Sequence, residues 1–284
     1  MVPLIEGIPP SPRGGHTATK VGRFIIFFGG HYYSGKDQGF TYLNDIYILD
    51  IDNNKWVKPN VSGVPPEARY AHTAVLAGPR IIYFGGKGSK EKVFKDIHAL
   101  DPTTMEWFEG PEGSGSPSAR FGHSASLIEG NKIFIFGGQN DTNYFNDVYV
   151  LHLETMSWTK PDIKGPAPSP RFYHCAIVIK SAILIHGGFS FDEDYFNEKM
   201  KFGSQLKNFY LNDMRLLDTE KMSWIRFSIS GAPPKPRLGH TINVSGSSLI
   251  MFGGWANDSG LRNKQTKEDE VSYFKILNTD NFSW

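Results

Sequence analysis

One pattern, written five times, constrains this chain more than any other feature. An Arg-x-x-His pair is followed by a Gly-Gly pair and closed by a tryptophan. The first members are Arg13/His16, Arg69/His72, Arg120/His123, Arg171/His174 and Arg237/His240. The glycines are Gly29-Gly30, Gly85-Gly86, Gly137-Gly138, Gly187-Gly188 and Gly253-Gly254, and the tryptophans are Trp56, Trp107, Trp158, Trp224 and Trp284. A unit that recurs about every fifty residues cannot bury its apolar surface alone and must stack on its neighbours. The copies run over about 13–62, 69–113, 120–164, 171–230 and 237–284 plus 1–8. No long linker separates them, so 1–284 is expected to be a single domain.

Each unit predicts four strands. The first begins at the histidine and is lined with small residues, as in His72-Thr73-Ala74. The second is a short apolar run such as Phe24-Ile25-Ile26-Phe27-Phe28, too short for a helix and bounded by turn residues. The third alternates, as in Asp45-Ile46-Tyr47-Ile48-Leu49-Asp50, and the fourth starts near the tryptophan. Glycine pairs let the backbone leave the second strand through positive φ. A four-stranded unit repeated in register predicts an all-β fold, a β-propeller of five antiparallel blades.

The double glycine, the aromatic on the third strand and a tryptophan six residues after that strand resemble the kelch repeat. The last spacing holds in every copy, from Asp50 to Trp56, Asp101 to Trp107, His152 to Trp158, Asp218 to Trp224 and Asn278 to Trp284. His98, Arg215 and Lys275 depart from the third-strand aromatic, and Tyr273 stands where Asp45, Asp96, Asp147 and Asp213 stand, which predicts a shifted or partly frayed third strand in copy five. Residues Pro3 to Pro10 match Pro59 to Pro66. From this match, Val2 to Glu6 are expected to complete the final blade as its fourth strand, closing the ring and covering a sheet edge. Kelch-like propellers with six or seven blades make an absent blade the competing reading.

Strand alternation puts the loop into strand one and the loop between strands two and three on one side. Nearly all length variation falls there, with insertions at His31 to Asn44, Phe189 to Asn212 and Trp255 to Glu270. Repeat proteins place insertions on the side that binds. These loops carry Tyr32, Tyr33, Tyr195, Phe196, Trp255 and Arg262, residue types that anchor protein interfaces. Each aromatic has a second role open to it, packing the insertion onto the sheets. Arg13, Arg69, Arg120, Arg171 and Arg237 enter strand one on the same side, where a basic ring would accept a carboxylate-rich or phosphorylated peptide. Their structural alternative is pairing with Asp45, Asp96, Asp147 or Asp213 or capping neighbouring backbone carbonyls, and recurrence in every copy points to the fold as their primary cause. The recurrent histidines read as hydrogen-bonding residues of strand one rather than metal ligands.

The charges nearly balance, at a formal +1 over 284 residues, which argues against nucleic acid or an anionic membrane as partner. The single cysteine, Cys175, excludes an internal disulfide, and no stretch approaches the roughly 18 apolar residues of a membrane helix. A cytoplasmic location is expected. No catalytic constellation is found: Gly113-Ser114-Gly115-Ser116-Pro117 lacks the nucleophile-elbow pattern, and neither a phosphate loop nor His-Glu-x-x-His occurs. Kelch-like relatives include copper oxidases and iron-dependent specifier proteins, but Glu91, Asp96 and His98 have the wrong spacing for the iron motif. No cofactor or metal is expected. What the resemblance implies is a non-catalytic interaction module, a monomeric domain of a larger protein, binding a protein or peptide that is acidic or phosphorylated. The alternative is a metal-assisted lyase or oxidase with its site on the same face.

Overall fold

The computed structural model describes residues 5–36, 39–111, 113–191, 210–256, 274–279 and 283–284. Among them the backbone forms twenty-two strands and no helix. The chain divides into two compact units, one of residues 1–135 and 149–160, the other of residues 136–148 and 161–284.

In the first unit β1 (Thr17–Val21), β2 (Phe24–Tyr33), β3 (Phe40–Asp50) and β4 (Lys55–Val57) form an antiparallel sheet in chain order. The turn into β4 is set by Asp50, whose Oδ1 accepts the backbone N–H groups of Asp52 and Asn53 at 3.2 and 3.1 Å. Asp101 does the same for Thr103 and Thr104 in the next copy. An aspartate six residues before the tryptophan is therefore a turn device, its carboxylate standing in for a backbone acceptor.

The next strand, β5 (Ser62–Gly63), belongs by sequence to the linker after the first copy. It runs parallel to the outer strand of the second sheet, which is built from β6 (Thr73–Ala77), β7 (Arg80–Phe84), β8 (Ile97–Asp101) and β9 (Glu106–Glu109) in the order β5-β9-β8-β7-β6. This linker thus protects the edge of the sheet that follows it, as Lys164 does where it bridges Ser223 in parallel and Ser230 where it bridges Ser283. The same rule corrects the expectation for the N-terminal segment. Glu6 bridges Lys55 in parallel, its N–H donating to Asn54 and its carbonyl accepting from Trp56. It lies on the outer edge of the first sheet instead of completing the last one. Val2 is outside the described residues. The third sheet holds β10 (Ser124–Ile128), β11 (Lys132–Phe136), β12 (Val148–His152) and β13 (Ser157–Thr159).

Neighbouring sheets of this unit join through one recurrent contact. Phe28, at the end of the apolar run in β2, meets the His72 ring at 5.2 Å edge-on and the Trp107 ring at 5.0 Å. Phe84 repeats this against His123 and Trp158 at 5.3 and 5.1 Å. Around Phe28 lie Ile26, Ile46, Ile81, Tyr83 and Leu100, all buried. Burying one such ring stabilises by about 1.5–3 kcal/mol, so the joint between sheets carries much of the fold.

In the second unit β14 (Cys175–Ile179), β15 (Ala182–Phe189), β16 (Tyr210–Asp218) and β17 (Ser223–Ile225) form the fourth sheet. After β18 (Arg237–Leu238) come β19 (Thr241–Ser245), β20 (Ser248–Phe252), β21 (Trp255–Ala256) and β22 (Phe274–Asn278). The fifth sheet has the order β19-β20-β22, with Ser283 bridging Asn278 beyond it, and β18 pairs with β21. Its third strand is in register over 274–278; Tyr273 lies outside the described residues. The joint recurs here: Phe136 meets His174 and Trp224 at 5.1 and 5.2 Å. In the following copy His186 replaces the phenylalanine, and its Nδ1 shares a 2.8 Å hydrogen bond with His240 Nε2.

Candidate functional site

The glycine pair does not end the second strand in the first copy. The β2–β3 ladder shifts register between Phe28 and Gly30 and continues to Tyr33. Gly29 and Gly30 have φ of 67° and 95°, and a Cβ on Gly29 would stand 2.8 Å from the Arg69 carbonyl oxygen. Only glycine fits that approach, and the bulge re-aims the strand pair so that it projects beyond the sheet as a ribbon.

The ribbon is aromatic because its alternating positions are. His31 pairs with Tyr42 and Tyr33 with Phe40, so all four share one face. The His31 ring lies 5.2 Å from Phe40 and 4.2 Å from Tyr70, and Tyr33 meets Phe40 edge-on at 5.4 Å. Tyr70 continues the band to Phe121 at 6.0 Å, and the Lys87 ammonium sits 5.4 Å over the Phe121 ring. A band of rings therefore crosses from the first copy to the entries of the second and third. At its tip Tyr33 is 58% and Phe40 53% exposed, and Tyr32 projects from the opposite face of the ribbon, 37% exposed. Burial pushes the His31 ring's pKa below that of a free histidine, so it stays neutral at pH 7.

Beside the band, the loop from β7 to β8 carries Lys87, Lys90, Lys92 and Lys95. Lys87 pairs with Glu91 and Lys92 with Glu67, whereas Lys90 and Lys95 are exposed. The local surplus is positive.

The second unit carries its own band. Phe189 meets Tyr210 at 5.1 Å, Phe191 at 4.7 Å and Phe172 at 5.4 Å, and Tyr144 stacks on Phe172 at 5.7 Å. Trp255, paired with Leu238 at the entry to strand one of the last copy, is 70% exposed. Tyr195, Phe196 and Arg262 lie outside the described residues.

The arginines have a different place from the one a docking ring requires. Arg69 is fully buried: its two terminal nitrogens donate to the Asp96 oxygens at 2.6 and 2.7 Å, one also to the Gly85 carbonyl at 3.0 Å, and Nε to Glu67 O at 2.9 Å. Arg171 repeats the fork on Asp213 at 2.8 and 3.1 Å and reaches Gly187 O at 3.1 Å. Arg13 pairs with Asp45 and Gly29 O. Arg120 is fully buried with Nε on Ser118 O, and Arg237, equally buried, donates to Gly253 O at 2.8 Å. A guanidinium can enter the interior only if its donors are met, and the glycine carbonyl with the forked carboxylate meets them. The repeated Arg-Asp pair thus ties strand one to the glycine pair. A basic ring of these five arginines is not presented to a partner.

Burial would raise the Asp96 and Asp213 carboxyls, but hydrogen bonds and charge from Arg69 and Arg171 hold both below the usual range. Burial, with the adjacent Arg69, pushes His72 down to about 3, and burial with Arg171 does the same for His174. Thr17 Oγ1 and His72 Nε2 share a 3.0 Å hydrogen bond, as do Thr73 and His123. These histidines are mortar between sheets. Among the described residues no three His, Cys, Asp or Glu side chains are grouped to hold a metal ion.

Sequence reasoning missed Phe40, Tyr70, Phe121 and Phe172. The last three share a signal, an aromatic immediately after the repeated arginine.

A family model described as the KLHDC2/KLHL20/DRC7 Kelch-repeats domain matches residues 1–128 and again 109–284. Host cell factor 2 of Homo sapiens is 31% identical over 304 residues, spanning 100% of this chain and 36% of that protein. Host cell factor 1 of Rattus norvegicus is 29% identical over 306 residues, spanning 98% of this chain and 14% of that protein. Kelch domain-containing protein 3 of Homo sapiens is 31% identical over 264 residues, spanning 88% and 65%. The chain therefore spans less than two thirds of the length of each of these relatives.

Proposed function

We propose, for a chain that belongs to the kelch-repeat family, that it is a non-catalytic module which binds a protein or peptide on the side carrying the loops between strands two and three. The observation that carries this reading is the β2–β3 ribbon. It lifts Tyr33 and Phe40 beyond the sheet that forms its base and leaves both more than half exposed. Two rigid rings held edge to edge offer large contact area at low entropic cost, the character of interface anchors. Trp255 offers the same in the second unit.

The partner segment is acidic or phosphorylated. Lys90 and Lys95 flank the band in the first unit, and Lys36 lies exposed near the ribbon's tip. The arginines are engaged internally, so lysines read the charge, as point charges without bidentate geometry. Binding should weaken with salt accordingly.

The face is tested by placing a photo-crosslinking phenylalanine analogue at position 33 and, in a second protein, at position 53 in the turn into β4. Crosslinking to a partner at 33 and not at 53 supports the reading. Crosslinking at 53 alone moves the site to the other side and refutes it.

A further inference from the structure

The joint between the fourth and fifth sheets, which lies wholly within the second unit, is built differently from the others. The apolar run before the glycine pair ends in Phe28, Phe84 and Phe136 in the first three copies and in His186 in the fourth. The residue after the strand-one histidine is Thr17, Thr73 and Ser124, then Cys175. Both changes fall at one place, because Cys175 lies directly opposite His186 in the β14–β15 ladder.

Together they redirect one hydrogen bond. In the first two joints the next copy's histidine, His72 or His123, bonds a threonine hydroxyl. Cys175 offers only a thiol, a weak acceptor, and His240 Nε2 instead meets His186 Nδ1 at 2.8 Å, the rings edge-on at 4.8 Å. His186 is fully buried, and among the described residues neither its Nε2 nor His240 Nδ1 has a partner.

A neutral imidazole carries one N–H, so whichever ring of the pair donates, the other accepts through a bare nitrogen. The two kinds of joint respond differently to protons. An imidazolium at His72 still donates to the Thr17 oxygen. Imidazoliums at His186 and His240 set N–H against N–H and bring two positive charges into contact. Their neighbours give no relief. Asp213 on β16 is already shared by Arg171 and Arg215. Arg171 and Arg237 add positive charge from the entries to strand one, and Cys175 on β14 is a neutral thiol, pushed up to about 11 by burial.

We propose that this joint is an acid-sensitive latch: proton uptake by both His186 and His240 breaks their bond and lets the fifth sheet part from the fourth. Burial holds both rings below a free histidine in the closed state, His240 at about 4. The closed state therefore refuses protons that the open state accepts, so the latch is shut above about pH 6.5 and loosens below it. It covers Leu184 and Met214 of the fourth sheet with Ile242, Leu249, Met251 and Leu277 of the fifth. Three strands released from that contact are marginal by themselves, so their amides exchange once the sheet parts. The latch is independent of the aromatic ribbon.

Amide hydrogen exchange of residues 241–252, corrected for the intrinsic pH dependence of exchange, tests it between about pH 7.5 and about pH 5.5. The freed rings titrate near 6.5, so this change favours opening about tenfold per histidine and about a hundredfold for the pair. Protection should fall about a hundredfold in the unmodified chain. Cys175→Thr/His186→Phe rebuilds the joint on the pattern of the first two and leaves one titrating ring, so its fall should be about tenfold. His186→Phe alone is a second variant with the same expectation. A fall of about tenfold or less in the unmodified chain, or an equal fall in unmodified and variant chains, would overturn the proposal.

Discussion

Acidification should loosen the joints between sheets before it affects any carboxylate. His72, His174 and His240 are buried, and burial pushes their rings down to about 3, 3 and 4 from an ordinary 6.5. The unfolded chain takes up these protons as pH falls through 6.5, while the folded chain refuses them. Stability is therefore complete above about pH 6.5 and declines below it, since the unfolded state binds more protons. A pH of 5 lies about 1.5 units below the unfolded pKa of each histidine, a loss of about 2 kcal/mol each and about 6 kcal/mol for the three. That is comparable with the whole stability of a typical domain, about 5–15 kcal/mol. Asp96 and Asp213, held low by their arginines, act in a different window: their contribution is lost only as pH falls below the ordinary carboxylate value of 3.8. Urea unfolding followed by tryptophan fluorescence between pH 7.5 and 5 reads the histidines alone. The midpoint should fall steeply below pH 6.5, and His72→Asn should remove about one proton from that slope. Equal stability at pH 7.5 and pH 5 would refute the claim that these rings are neutral mortar.

Three further outcomes follow from the packing. Gly85→Ala forces a Cβ to 2.6 Å from the Arg120 carbonyl at a φ of 66°, and should cost about 3 kcal/mol in chemical denaturation; Gly78→Ala, with a φ of 57° and open space around it, should cost about 1 kcal/mol. Arg69→Met leaves Asp96 without its fork and should destabilise by about 3 kcal/mol, with Arg69→Lys recovering only part because an ammonium cannot serve both oxygens and the Gly85 carbonyl. Burial pushes the Cys175 thiol up to about 11, so its reaction with a thiol reagent at pH 8 should be about a hundredfold slower in the folded chain than in urea.

The repeat was legible because its signals are local: a glycine pair, a tryptophan at fixed spacing and an aspartate that closes a turn each act within a few residues. The ribbon was not. Gly29-Gly30 reads as a stop, since glycine weakens a strand, and only the approach of the Arg69 carbonyl shows the pair to be a bulge that carries β2 onward. The arginines were legible as conspicuous but ambiguous residues, because a lone sequence does not reveal that Gly85 and Asp96 converge on one guanidinium. Glu6 was misassigned for a related reason: the match between residues 3–10 and 59–66 is real, yet a linker strand adds to the sheet that follows it, which the parallel pairing of β5 on β9 makes plain.

The aromatic ribbon is the proposed binding surface, and the buried arginines are its scaffold. Titration calorimetry of a captured partner peptide against the unmodified chain and a Tyr33→Ala/Phe40→Ala double variant tests that most directly. Affinity should fall at least tenfold, about 1.4 kcal/mol or more, with the melting temperature unchanged. An affinity equal to that of the unmodified chain would contradict it.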